Sequence, residues 1–127
     1  LDESKKPEPL LCIIDEVLRG TNTIERIAAS SRILAALHQN WVIPFAATHD
    51  IELSYILEDL YDNYHFEEEV KEKEVVFSYI LKKGRATSRN AIRLLDMLEY
   101  DLGIVEGAAK AARDFEEKGV WESLKPV

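Results

Sequence analysis

Two short apolar runs, each cut off by a pair of ionisable residues, constrain this chain more than any other feature. The first is Leu10-Leu11-Cys12-Ile13-Ile14, stopped by Asp15-Glu16. The second is Val42-Ile43-Pro44-Phe45-Ala46-Ala47-Thr48, stopped by His49-Asp50. Runs of this length predict buried strands. Pro44 needs a place near its strand's start, because it lacks the N–H that a central strand donates. Between the runs, Gly20-Thr21-Asn22-Thr23 is a turn cluster. Asn22 or Thr23 is placed to cap a helix carrying Glu25 and Arg26 in its first turn. Ile27, Ser31, Leu34 and Leu37 then recur at helical spacing, and Asn40 reads as the stop.

Further on, residues 51–57 predict a short helix. Alternation over 61–70 and 75–81, marked by Tyr64, Phe66, Val76 and Tyr79, predicts an antiparallel hairpin turned at 71–74. Its acidic residues, Glu67, Glu68, Glu69, Glu72 and Glu74, suit a solvated tip. Gly84 and Thr87-Ser88 punctuate the chain before a helix with Ala91, Leu94, Leu95 and Leu98 on one face. Asp101 is placed to cap a last helix with Val105, Ala108, Ala112 and Phe115 in a stripe, ended by Gly119. The order β–α–β–α–β–β–α–α predicts an α/β layer with a mostly parallel sheet, a hairpin and a C-terminal helical pair. The expected partition is a lead-in at 1–9, kept from helix by Pro7 and Pro9, a sheet region at 10–83 and C-terminal helices at 84–127.

Composition narrows the class. A chain of 127 residues, 46% hydrophobic, suits one small globular domain. It has no apolar run of the roughly 18 residues a membrane span needs, so no membrane contact is expected from this segment. The polar start, Leu1 to Leu10, does not read as a signal peptide, and the cytoplasm is the expected compartment. The single cysteine, Cys12, excludes an internal disulfide and reads as a small buried hydrophobe. Three scattered histidines and that one cysteine make no metal-ligand pattern. A formal net charge of -8 argues against a nucleic-acid surface, which calls for a basic patch.

In parallel α/β sheets, functional groups gather at the carboxyl ends of strands. Ile13-Ile14-Asp15-Glu16 has the Walker B arrangement: Asp15 to hold a Mg²⁺ ion, and Glu16 to orient or deprotonate the water that attacks a γ-phosphate. A solvated strand end gives the same string. His49, at the second strand end, is placed to hydrogen-bond a γ-phosphate, and a polar strand cap is the plainer alternative.

The longer string Asp15-Glu16-Val17-Leu18-Arg19-Gly20-Thr21-Asn22-Thr23, then an amphipathic helix, then Phe45-Ala46-Ala47-Thr48-His49, resembles the MutS family. That family has a Walker B acid pair, an Arg-Gly-Thr-x-Thr turn, and an Ala-Thr-His switch one helix and one strand later. The Arg-Gly-Thr-x-Thr turn is the specific part, and Gly84-Arg85-Ala86-Thr87-Ser88 looks like the family's entry to its penultimate helix. The resemblance covers residues 10–119. It implies the C-terminal part of an ABC-like P-loop ATPase domain. Within it, Asp15 would be the Mg²⁺ carboxylate, Glu16 the catalytic base and His49 the switch histidine beside a nucleotide-binding Thr48. Arg19, Gly20, Thr21, Asn22 and Thr23 would form a turn facing a partner subunit. ATP and Mg²⁺ are the implied cofactors of a homodimeric parent that acts in DNA repair or recombination and binds DNA through other domains.

The sequence also departs from the family. Asn22 stands where Ser is usual, Ile24-Glu25-Arg26 where Tyr-Asp-Gly is usual, and Asn90 follows Arg89 where Tyr-Gly is usual. These differences suit a divergent branch better than ordinary mismatch recognition. No G-x-x-x-x-G-K-[ST] motif occurs, the five glycines being too sparse for it. The expectation is therefore a fragment, inactive alone, whose sheet lacks a strand between 42–48 and 61–67 and either rearranges or pairs its edges between copies. Residues 91–118 are expected to form a helical hairpin that mediates self-association in the parent, the alternative being that both stripes pack under the fragment's own sheet. Two other readings stand beside this one: a subunit-interaction module with idle ATPase motifs, and a transporter ATPase subunit, which would share the acid pair and histidine but not the Arg-Gly-Thr turn.

Overall fold

A computed structural model of the chain describes all residues except Thr21, Lys73, Thr87, Ser88, Arg89 and Val127, and the side chain of Val70. After a 3-10 turn at Glu3–Lys5, the elements are β1 (Leu10–Asp15), α1 (Thr23–Ala36), β2 (Val42–Ala47), α2 (Ile51–Ile56), β3 (Tyr64–His65), β4 (Glu68–Lys71), β5 (Glu74–Phe77), β6 (Lys82–Lys83), α3 (Ala91–Met97) and α4 (Leu102–Lys118). They fall into two compact units. The first holds Leu1–His65 and Lys82–Ala86; the second holds Phe66–Leu81 and the described residues of 87–127.

In the first unit β1 and β2 pair in parallel, Leu10 opposite Val42 through to Asp15 opposite Ala47. Such a pair needs a crossover, and α1 supplies it. Asn22 starts α1: its Oδ1 accepts from the Ile24 and Glu25 amides at 3.0 and 3.2 Å. Ser30, Ser31 and Leu34 are its buried face, and the Ser31 hydroxyl is satisfied by the Ala28 carbonyl at 2.7 Å. The helix ends at Ala36, before Asn40, with Leu37 as the buried C-cap residue.

The core is small: Leu34, Leu37, Leu53 and Leu57, with Cys12, Ile14, Val17, Ile27, Ala35 and Tyr61 packed against it. Each such leucine contributes about 1.5–3 kcal/mol through removal of apolar surface from water. The Tyr61 hydroxyl donates to the Leu34 carbonyl at 2.7 Å, and burial pushes the phenol pKa up. The lead-in is more than a loop, because Ser4 is buried and its carbonyl accepts from the Trp41 indole N–H at 2.7 Å.

Several expectations are corrected. β1 and β2 are covered on one face only, and Leu11, Ile13, Ile43 and Phe45 stand exposed on these strands, Ile13 by 75%. Pro44 lies third in β2, opposite Cys12, in the first half of the strand. Parallel pairing is confined to β1 and β2 among the described residues. β3 and β6 pair antiparallel, Tyr64 opposite Lys83, and β4 and β5 do so with Glu68 opposite Phe77. The predicted hairpin is thus divided into two short ladders, of which β4–β5 has the short connection that favours antiparallel pairing.

In the second unit, α4 carries Val105, Ala108, Ala112 and Phe115 half-buried, as the stripe predicts. Gly119 ends the helix with φ 72°, its N–H donating to the Phe115 carbonyl at 2.7 Å. This left-handed cap is why glycine stands there. Phe115 stacks on Trp121 with ring centroids 4.1 Å apart. Asp101 occupies the N-cap position without a side-chain cap bond; its carbonyl instead accepts from Ile104 and Val105. On α3, Leu94 and Leu98 of the predicted face are exposed, whereas Ile92, Leu95 and Met97 are half-buried.

Candidate functional site

The parallel register sets the ends of β1 and β2 flush, and the Glu16 amide extends the ladder by donating to the Ala47 carbonyl at 2.8 Å. Thr48, His49 and Asp50 therefore follow beside Asp15 and Glu16. Glu16 has φ 55°, a left-handed conformation that a residue with a Cβ adopts at a cost of about 1–3 kcal/mol. Asp15 keeps its carboxylate 81% exposed, while the Glu16 carboxylate is 25% exposed.

Two side chains converge on Glu16. Arg19 Nε lies 2.7 Å from Oε2, and His49 Nε2 lies 3.4 Å from Oε1. The guanidinium of Arg19 also reaches towards Asp15, at 3.8 Å. The Thr48 hydroxyl oxygen accepts from the Asp50 amide at 3.0 Å, which closes the loop around His49 and leaves the hydroxyl proton free to point elsewhere.

Beneath the loop, Arg26 of α1 binds Asp50 with two parallel bonds, Nε to Oδ2 at 2.8 Å and Nη2 to Oδ1 at 2.6 Å. The hydrogen bond from Arg26 holds the Asp50 carboxyl below its ordinary range against the opposing effect of partial burial, and the same bond raises the Arg26 guanidinium. Together Glu16, Leu18, Arg19, Gly20, Arg26, Thr48, His49 and Asp50 line an open cleft of about 280 Å³.

The structure thus gathers Asp15, Glu16, Arg19, Gly20, Thr48 and His49 at one strand end. Asn22 caps α1 and Thr23 is its first residue. Thr21 lies outside the described residues, as do Thr87 and Ser88 of the segment after Gly84. Sequence reasoning missed the pairing of Arg26 with Asp50. The available signal was Arg26 itself, a charged residue where the resembled family has glycine.

No group of three His, Cys, Asp or Glu side chains able to hold a metal occurs among the described residues. A Mg²⁺ ion asks for less, since it keeps several waters and takes one or two carboxylates together with phosphate oxygens. The hard oxygen donor of the exposed Asp15, with Glu16 adjacent, fits that demand.

The fold and this cleft define a small α/β domain with acid and histidine side chains converging at the carboxyl ends of parallel strands. The family model for MutS domain V matches residues 4–116, and the chain belongs to the MutS family. It is 35% identical over 118 residues to the DNA mismatch repair protein MutS of Aquifex pyrophilus, covering 90% of this chain and 14% of that protein. It is 33% identical over 112 residues to the DNA mismatch repair protein MSH3 of Eremothecium gossypii, covering 81% of this chain and 11% of that protein. The MutS of Thermus thermophilus is 28% identical over 101 residues, 80% of this chain and 12% of its own length. The chain therefore spans about a seventh or less of these relatives. Among the described residues, no helix is long and apolar enough to cross a membrane.

Proposed function

We propose that this chain forms the hydrolytic side of an ATP site in a longer, ATP-dependent DNA-repair or recombination protein of the MutS family. The observation that carries the reading is the Glu16 carboxylate, held in a strained backbone conformation between Arg19 and His49 where two parallel strands end. Strain of this kind collects at functional sites, where surrounding structure compensates for it.

In this reading Glu16 is the base: it orients the attacking water and takes its proton. Asp15, exposed at the strand end, is the Mg²⁺ carboxylate, and the ion would neutralise charge on the β- and γ-phosphates. His49 and Thr48 meet the γ-phosphate from the second strand end. Arg19 pairs with Glu16 in the isolated chain and would turn outward to the partner subunit's nucleotide when the dimer forms. The cleft, at about 280 Å³, is slightly smaller than the ~300–1,000 Å³ of small-molecule pockets. It suits a terminal phosphate, with the remaining phosphates cradled by a P-loop elsewhere in the longer protein. DNA contact falls to other domains, in keeping with the charge of -8.

Asp15→Ala tests the reading. In the longer protein, Mg²⁺-dependent ATP binding should weaken markedly while Mg²⁺-free binding changes little. Equal Mg²⁺-dependent affinity in variant and wild type would remove Asp15 from the site.

A further inference from the structure

Asp50 breaks a local rule. It stands at the N-cap of α2, where aspartate ordinarily accepts from the second or third amide of the helix, yet it makes no side-chain cap bond. Both its oxygens are taken by Arg26, 24 residues earlier. Five-sixths of the Asp50 side chain and four-fifths of the Arg26 side chain are buried, so this is not a solvated surface pair. A capping carboxylate has been diverted to join the start of α1 to the loop after β2. The residue before it is His49, whose ring is 94% exposed and has little packing of its own to hold it beside Glu16.

We infer that Arg26 is a positioning residue: by clamping Asp50 it fixes the Thr48-His49-Asp50 loop so that His49 stays within reach of the Glu16 carboxylate. The proposal rests on the nucleotide-site reading for its consequence in hydrolysis, but the clamp itself is a property of this chain. The planar fork of arginine matches the two carboxylate oxygens, and a lysine at the same place would supply the charge as a single point. Without the fork Asp50 is released to cap α2 in the usual way, and the loop takes a second arrangement. His49 then leaves Glu16. Because Arg26 lies in the first turn of α1 and Asp50 ends the histidine loop before α2, one ion pair ties the two sides of the cleft together.

The test is amide and His-ring NMR on the 127-residue chain, for wild type, Arg26→Lys, Arg26→Gln, Asp50→Asn and the double variant Arg26→Gln/Asp50→Asn. Arg26→Lys keeps the charge and guards against simple unfolding. Expected are shifts at Glu16, Thr48 and the His49 ring in each single variant. Slower exchange of the Glu52 amide is expected wherever Asp50 is freed to cap. The double variant should add nothing beyond the singles, because residues acting as one unit are non-additive. Unchanged Glu16 and His49 signals in Arg26→Lys and Arg26→Gln, or additive effects, would overturn the clamp. In the longer protein, Arg26→Lys should lower kcat by up to about 10²-fold, as misplacement of a reacting group does, with KM little altered. A raised KM at wild-type kcat would overturn the positioning role. Should the wild-type protein fail to bind ATP while the loop still responds to Arg26, the nucleotide reading falls and the clamp stands.

Discussion

Replacing Asn22 by alanine should destabilise the first unit by about 1 kcal/mol, within the ~0.5–2 kcal/mol range for loss of an N-cap. The Asn22 Oδ1 satisfies two of the orphan amides at the start of α1, those of Ile24 and Glu25, at 3.0 and 3.2 Å. Both bonds are exposed, so water replaces part of what is lost and the middle of the range applies. A domain of 60–100 residues loses roughly 4–8 °C of melting temperature per kcal/mol, a readily measured shift. Asn22→Ser is the control. Serine caps about as well as asparagine, and serine is the residue usual in the resembled family, so this variant should melt within a degree or two of wild type. The assay is thermal and urea unfolding followed by Trp41 fluorescence in a Trp121→Phe background, since Trp41 reports on the first unit through its bond to Ser4. The urea midpoint should fall with an unchanged slope. A wild-type midpoint in Asn22→Ala, or equal loss in Asn22→Ser, would refute the capping argument.

Further outcomes follow from the same geometry. The Asp50 carboxyl is held below its ordinary 3.8 by Arg26, so its stabilising contribution is present above that pH and is lost as the pH falls through the depressed folded value. Acid unfolding should accordingly show wild type losing its advantage over Asp50→Asn below about pH 4. The 127-residue chain alone should show no Mg²⁺-ATPase turnover approaching the ~1–100 s⁻¹ of phosphoryl-transfer enzymes, because it lacks the P-loop motif that positions phosphates; a steady-state phosphate-release assay decides it. If the α3–α4 region mediates self-association, Leu102→Asp/Ile104→Asp should convert a dimer of the longer protein to monomers in light scattering. These two side chains are exposed, whereas Phe115 is already occupied by Trp121.

The β1–α1–β2 unit was legible because its determinants are local: two apolar runs, a capping asparagine and a helical stripe lie within one stretch of chain. The Gly119 cap and the α4 stripe were legible for the same reason. Exposure of Leu11, Ile13, Ile43 and Phe45 was not, since a continuous apolar run reads as buried on both faces and says nothing of what covers either. Division of the hairpin into β3–β6 and β4–β5 escaped notice because alternation marks strand character without fixing register. In the candidate site, Asp15, Glu16 and His49 were named because they follow apolar strand runs, whereas Arg19 and Thr48 were named only through the family resemblance. Arg26 with Asp50 was not: nothing local joins residues of α1 to the loop after β2, and only the tertiary structure shows the carboxylate diverted from capping.

The most direct test of the central claim is Glu16→Gln in the longer protein, with equilibrium ATP binding and single-turnover hydrolysis measured on the same preparation. The amide keeps the shape of the side chain and removes the base. Binding should stay near the wild-type value, and hydrolysis should fall by about 10²–10⁴-fold, the usual contribution of a general base. Wild-type hydrolysis in the variant, or loss of binding in step with loss of hydrolysis, would contradict the assignment of Glu16 as the base of this site.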